Sequence, residues 1–457
     1  MSFVDELLEK CEEGYKHAVL IYLDDDGYPV SVATNYGVDT ERGVVKLKAP
    51  AGDVVPADGT RVNVIVSHIR PAPEMGYDQR RYIQFWGNIS RVNGSLELQP
   101  KRAHSWNEQE THFVEYNELT VKQGHDYLRA LSEEQGRTIK PKLSPLWLFL
   151  RATRLPFLSA TIIPVLLGVA AAAYEGAFHL GYAALTLLGA SFIHLGLNVA
   201  NDVFDTASGA DPANTTPTQF SGGSRVIHYG LLSSRQMAWM AGAFYAAGIG
   251  IGLFLAFERG FWPLFWLGAA GVAISLAYTA PPLRLVHRGI GEVMVALGFG
   301  PIVLLGAYFV QAQRYAWEPA FLSIPVAIFI ALVLYMNEIP DRRGDASVGK
   351  RTLPVRWSKQ AVINGYVWSV ALAFALIGAG AIAGIIPRPT IIALATIPLA
   401  RKVTRAMRDH YESPYELMPH MGTNIKLHAF AGTLLFLGYI IALVAEAVLE
   451  TPPAFLR

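Results

Sequence analysis

From Leu155 onward the chain repeats one pattern, an apolar run about as long as a bilayer is thick followed by a short charged loop. The runs fall at 155–174, 180–202, 235–256, 262–280, 290–311, 319–339, 361–386, 389–403 and 424–449. They predict about nine membrane helices, the eighth of them short. A buried helical core in a soluble protein does not accommodate so many consecutive apolar segments. The small-residue stretches GVAAAA (168–173) and GIGIG (248–252) predict close helix packing, because lipid gives helices no hydrophobic reason to associate.

The first 140 residues read differently. Their apolar positions alternate with polar ones, predicting strands at His17–Leu23, Tyr28–Thr34, Val44–Ala49, Arg61–His68 and Tyr82–Val92. Asp24-Asp25-Asp26-Gly27 is a turn between the first two, and a helix near Gly124–Glu134 closes the domain. The expected organisation is a soluble domain at 1–140, a basic linker at 141–154 carrying Pro141, Lys142 and Pro145, and a membrane domain at 155–457.

Charge adds orientation and removes several function classes. A net charge of +1 offers no basic excess for neutralising nucleic-acid phosphates, so no nucleic-acid partner is expected. Cys11 is the single cysteine, which excludes a disulfide framework and a thiolate metal site. The acidic, amphipathic start of the chain is not a secretory signal. One set of loops carries Arg225, Arg235, Arg284, Arg288, Arg342, Arg343, Lys350, Arg351 and Arg401–Arg408, whereas the opposite set holds Arg259, Arg314 and Arg388. The positive-inside rule then predicts a multi-pass protein of the cell (inner) membrane, with the N-terminal domain and the basic loops in the cytoplasm.

The chemistry-bearing motifs lie on that same side. The second run ends in NVANDVFDTASGAD (198–211), in which Asn198, Asn201, Asp202 and Asp205 share one helix face, with Asp211 following. The sixth ends in NEIPDRRGD (337–345); Asn337 and Asp341 share a face if the helix continues, and Pro340 is expected to bend or end it and leave Asp345 on the loop. One such cluster alone reads equally well as a cap and a solvated loop. Two on one side, each followed by glycine and a base (SGGSR at 221–225, GKRT at 349–352), form a receptor for a magnesium–diphosphate complex. GDASVGK (344–350) approaches a nucleotide-binding loop but has Arg351 where a hydroxyl must meet Mg²⁺, and it follows a helix rather than a strand.

These segments, together with YTAPPLRL (278–285) and GKRTLPVRW (349–357), resemble the UbiA superfamily of intramembrane aromatic prenyltransferases. The resemblance covers nearly the whole membrane part and is most similar to the 1,4-dihydroxy-2-naphthoate polyprenyltransferases of menaquinone biosynthesis. It implies that Asn198, Asp202, Asp205 and Asp211, with Asn337, Asp341 and Asp345, hold two Mg²⁺ ions on the diphosphate. Asp202, Asp205, Asp341 and Asp345 are then the residues on which catalysis rests. Arg225, Arg284, Lys350 and Arg351 would contact phosphate oxygens, Tyr278 would lie near them, and Arg154 matches a family arginine or serves as a topology anchor. The implied partners are a polyprenyl diphosphate, an aromatic acceptor and membrane lipid; the oligomeric state is open. In the naphthoate branch the prenyl group replaces the ring carboxylate, so CO₂ leaves with diphosphate. The alternative acceptors are 4-hydroxybenzoate, homogentisate, a chlorin and a glycerophosphate lipid.

The N-terminal segments HAVLIYLDDDGYPVSVAT, TRVNVIVSH and RRYIQFWGNISRV resemble the FMN-binding split barrels of the pyridoxamine-phosphate-oxidase type. That implies FMN near Lys46 and Lys48, the alternative being a structural or regulatory barrel. The expected fold is thus an all-α multi-span membrane helical bundle preceded by a small soluble β-barrel domain. A secondary transporter would place its acids near the bilayer midplane rather than at helix ends, and a flavoenzyme with a membrane anchor needs one span and no paired Asp motifs.

Overall fold

The structure, a computed structural model, describes residues 3–12, 15, 17–24, 28–49, 55–71, 77–140 and 143–448. Most of the expected turn at 24–27 and the linker residues Pro141 and Lys142 lie outside them. Contacts divide the chain into two compact units, one up to Asn117 and one from Glu118 onward.

The first unit begins with α1 (Phe3–Glu12) and continues as seven strands: β1 (His17–Leu23), β2 (Pro29–Thr34), β3 (Tyr36–Asp39), β4 (Val44–Lys48), β5 (Arg61–Pro71), β6 (Tyr77–Val92) and β7 (Ser95–Asn107). They form one antiparallel half-barrel sheet in the order β2-β1-β5-β6-β7-β4-β3. Alternation places Leu20, Val64, Val66, Ile83, Phe85, Ile89 and Leu98 on one buried face, covered by Leu7 and Leu8 of α1. β3 and β7 extend the sheet beyond the strands expected from alternation alone. Cys11 is buried in this core, and burial pushes its thiol up to about 12, which makes it an unreactive apolar side chain.

Helix α2 (Phe113–Glu134) starts well before the expected Gly124. The second unit holds α3 (Pro145–Thr153), α4 (Ser159–Tyr174), α5 (Leu180–Ser208), α6 (Ala210–Ala213), α7 (Ser234–Arg259), α8 (Phe261–Thr279), α9 (Gly291–Leu297), α10 (Val303–Ala312), α11 (Trp317–Ser347), α12 (Leu353–Arg356), α13 (Lys359–Ala383), α14 (Ile397–His410) and α15 (Pro414–Val448). With α9 and α10 joined through a π-helical turn, eight helices among the described residues are long and apolar enough to cross a membrane. The ninth expected span corrects to a broken element: 389–403 is a 3₁₀ segment, Arg388–Thr396, followed by α14. Its apolar run is short, Pro398 interrupts it, and Arg401, Lys402 and Arg405 follow at once, so no continuous apolar helix can form.

α11 is the central helix, with 61% of its most apolar stretch buried inside the protein, against 6% for the peripheral α8. Small residues set the spacing, since a Cβ on Gly168 would lie 2.3 Å from the Leu304 carbonyl oxygen of α10. Gly168→Val should therefore destabilise the bundle by about 1–3 kcal/mol, read as a lower Tm of the detergent-solubilised protein. Gly250→Val, which meets nothing within 4 Å, should leave the Tm unchanged.

Candidate active site

Helix geometry brings the two acidic segments to one cavity. α5 runs to Ser208 and stops on Gly209, whose left-handed backbone (φ 83°) turns the chain into α6 and Asp211. α11 continues through Pro340 to Ser347, which corrects the expectation that Asp345 sits on a loop. Proline is tolerated there because it lies in the bundle interior, where neighbouring groups can satisfy the carbonyl it leaves unbonded. Asn337, Asp341 and Asp345 consequently form one stripe, facing Asn198 and Asp205 of α5 across a cavity of about 160 Å³.

The loop after α6 fastens one wall to the other. The Asn214 amide donates to Asp341 Oδ1 at 2.7 Å, and the Gly222 N–H donates to Asp341 Oδ2 at 3.0 Å. The Ser224 N–H donates to both oxygens of Asp202 at 3.2 Å. Gly222 and Gly223 have φ of 76° and 72°, and a Cβ on Gly223 would lie 2.8 Å from Asp211 Oδ2, so both backbone angle and space require glycine. Lys350 completes the bridge: its Nζ stands 3.4 Å from Asp205 Oδ2 and 3.4 Å from Asp345 Oδ1. Burial works to lower the Lys350 pKa, but the carboxylates of Asp205, Asp345 and Asp341 outweigh it and hold the ammonium well above its ordinary value. Asp211 is raised as well, which for an acid favours the neutral form: burial, then the charges of Asp205 and Asp202, lift its carboxyl well above the usual range.

The sequence-predicted residues divide accordingly. Arg154, Asn198, Asp205 and Asp211 line the cavity, as do Tyr278, Asn337, Asp341, Asp345 and Lys350. Asp202 lies behind them on the Ser224 amide. Arg225, Arg284 and Arg351 are not brought to the cavity: Arg225 is buried against Glu118, and Arg284 and Arg351 are exposed. A sequence pattern that gathers bases after an acidic motif cannot say which way each base turns.

Three residues escaped the sequence reading. Glu338 lines the cavity with its carboxyl group beside that of Glu292, although it sits inside the second motif. His194 is buried and hydrogen-bonds Thr161 through Nδ1 at 2.7 Å; a histidine one turn before Asn198 on the same face was the available signal. Glu118 had no signal, being far away in sequence.

The oxygens suit a hard divalent ion. Among the described residues Asn337 Oδ1 and Asp345 Oδ2 are buried without hydrogen-bond partners, and Asp205 Oδ1 has only His287 Nε2, 3.7 Å away; such oxygens are costly unless a cation or donor completes them. Among the described residues no three His, Cys, Asp or Glu side chains converge as a closed metal centre would require. Carboxylates on opposite walls instead match an ion that shares its shell with water and substrate oxygens. The flavin expectation does not fit in the same way. Lys46 is already neutralised by Asp39 Oδ2 at 2.7 Å and Lys48 is exposed at the end of β4, so neither offers a buried cation for a flavin phosphate.

A second, apolar cavity of about 630 Å³ opens between α5, α7, α8 and α10. His194, Leu197, Tyr278, Val295 and Phe299 line both spaces, so the polar chamber and the apolar one adjoin.

A multi-pass membrane bundle with an oxygen-rich chamber opening on an apolar cavity defines an intramembrane enzyme for an amphiphilic, anionic substrate. The chain belongs to the UbiA prenyltransferase family, whose pattern matches residues 161–430. It is 27% identical over 303 residues to a Synechocystis 2-carboxy-1,4-naphthoquinone phytyltransferase, covering 65% of this chain and 94% of that protein. It is 24% identical to the Bacillus subtilis 1,4-dihydroxy-2-naphthoate octaprenyltransferase, covering 67% and 97%. A Mycobacterium tuberculosis protein of the latter name is 32% identical over 195 residues, covering 43% and 64%. Among solved structures, a UbiA homologue from Archaeoglobus fulgidus bound to GPP and Mg²⁺ is similar with a TM-score of 0.45 and 14% identity, covering 63% of this chain and 99% of that one.

Because Lys350 touches both clusters, Asp205→Asn and Asp345→Asn should act on one device. Each should lower turnover at least about 100-fold, roughly 3 kcal/mol of transition-state stabilisation, and the double variant should lose far less than the product. Near-normal rates in both single variants would reduce these aspartates to structural groups.

Proposed function

We propose that the protein transfers a polyprenyl group from its diphosphate to 1,4-dihydroxy-2-naphthoate, at the cytoplasmic face of the cell membrane, with Mg²⁺ as cofactor. The observation that carries this reading is the junction of the two cavities, which separates a place for charge from a place for a long apolar tail. The names of the naphthoate-acting relatives support the acceptor, and the similarity spans most of the length of two of them.

Asn198, Asp205, Asp211, Asn337, Asp341 and Asp345 would hold the magnesium, with Asp202 fixing the loop that faces them. Bound there, Mg²⁺ supplies the positive charge that makes diphosphate a competent leaving group. Lys350 and Arg154 add fixed cationic charge beside the same oxygens. Tyr278 and His194 stand where the chambers meet, at the allylic carbon of a substrate whose diphosphate lies in one and whose chain lies in the other. The apolar walls exclude water, so the allylic carbon is captured by the electron-rich ring rather than hydrolysed. The prenyl group bonds to the ring carbon that bore the carboxylate; CO₂ and diphosphate leave.

Purified protein incubated with geranylgeranyl or a longer diphosphate and a panel of aromatic acids should yield a prenylated naphthoquinol by mass spectrometry. CO₂ should form in equal amount, and EDTA should abolish both. Product with another ring acid and none with the naphthoate would reassign the acceptor.

The orientation is tested separately. With Cys11 buried, cysteines placed at Ala207 and Ser347 should label from the cytoplasmic side of oriented vesicles, and one at Gln313 from the other; all three positions are exposed. The reverse pattern would invert the topology.

A further inference from the structure

We infer that Glu118 of α2, outside the family-matched segment, is a positioning residue of the diphosphate site: it holds Arg225 in place and keeps that guanidinium off the Asp211 carboxylate. This inference rests on the function proposed above.

The geometry runs through a single buried arginine. Arg225 follows Gly222 and Gly223 and shares their left-handed backbone, with φ 63°, a conformation that a long side chain adopts only when its surroundings over-determine it. Its guanidinium bonds the Asp211 carbonyl oxygen and donates to the Asn214 carbonyl oxygen at 3.2 Å. One side-chain nitrogen is thus spent on each end of the turn that carries Asp211 into the cavity and Asn214 onto Asp341. The loop that spans the two acidic helix ends is stapled from behind by this one group.

A guanidinium withdrawn from water needs a counter-ion, and the structure supplies Glu118. The two side chains are 2% and 3% exposed and directly paired, and the Tyr229 hydroxyl donates to the other Glu118 oxygen. His228 Nε2 stands 3.5 Å from the same carboxylate. Burial, reinforced by the hydrogen bond to Glu118, pushes the Tyr229 phenol up to about 12, so it remains a donor. This pair is not a surface contact of negligible consequence, because removing one member leaves the other buried and uncompensated.

The Arg225 guanidinium already bonds the backbone carbonyl oxygen of Asp211, whose side-chain carboxylate lines the cavity. Freed from Glu118, the guanidinium has that acid as its neighbouring alternative partner. An Arg225–Asp211 pair would remove an oxygen ligand from the cavity and slacken the turn that Asn214 uses to reach Asp341. Glu118 therefore acts on the site through Arg225 and never touches substrate. α2 from Glu118 onward groups with the membrane unit, not with the sheet that precedes it.

The test uses the full chain in detergent, with calorimetric titration of magnesium pyrophosphate alongside the steady-state assay. Glu118→Gln, which keeps the shape and removes the charge, should weaken magnesium pyrophosphate binding about tenfold and raise the prenyl diphosphate KM to match, with the acceptor KM unchanged. Tyr229→Phe, a milder change that keeps the ion pair, should shift the same two quantities two- to threefold in the same direction. Circular dichroism and gel filtration confine the comparison to folded protein. Folded variants that bind magnesium pyrophosphate as the parent does would overturn the inference while leaving the proposed function intact. A parent protein that binds none would overturn both.

Discussion

Everything in the membrane unit depends on holding two anionic helix ends face to face where water is scarce. Asp205 and Asp211 on one wall, backed by Asp202, oppose Asp341 and Asp345 on the other, and all but Asp341 are almost completely buried. Unpaired, such charges would cost several kcal/mol each by the usual penalty for desolvated ions. The protein offsets part of that cost with Lys350 and with main-chain N–H groups of the glycine-containing loop, and leaves other oxygens without partners among the described residues. In the proposed function those remaining oxygens would make the chamber a receptor rather than a structural core.

The same constraint explains why the loop between α6 and α7 is built as it is. Backbone amides can reach carboxylates on both walls only if the chain passes close to them, and two successive left-handed glycines allow that approach. An arginine in the same conformation then ties the loop down from its other face. The electrostatic problem of the cavity is thereby passed outward, from aspartates to amides to Arg225 to Glu118.

In the proposed function, joining this chamber to an apolar one is what would turn a metal–anion receptor into an enzyme for a lipid. Neither space would do so alone: a polar pocket takes up a soluble diphosphate as readily, and an apolar gap between membrane helices is ordinary. The residues common to both, His194 and Tyr278 among them, would in the proposed reaction mark where an allylic bond has its polar end in one environment and its chain in the other. The long α11, the most buried of the span-length helices, carries Asn337, Asp341 and Asp345 as one stripe.

Much of this was legible in the sequence, because apolar run length, basic loop bias and the spacing of Asn198, Asp202 and Asp205 are local properties that the helix period converts directly into a face. Eight of the nine runs became span-length helices, and the exception failed for a reason visible in Pro398 and Arg401. Asp345 was misassigned because Pro340 breaks helices in water, whereas interior packing carried α11 past it. Arg225 and Glu118 lay beyond any local rule. Which way a base turns depends on the carboxylate that packing brings to it, and here that partner comes from a helix more than a hundred residues earlier. The sequence by itself determined the class of element, the side of the membrane expected for the motifs and the kind of atom they offer. Only the tertiary structure decided which charges face the cavity and which are consumed in holding it open, since pairing in a poorly hydrated interior is settled by proximity in space and not along the chain.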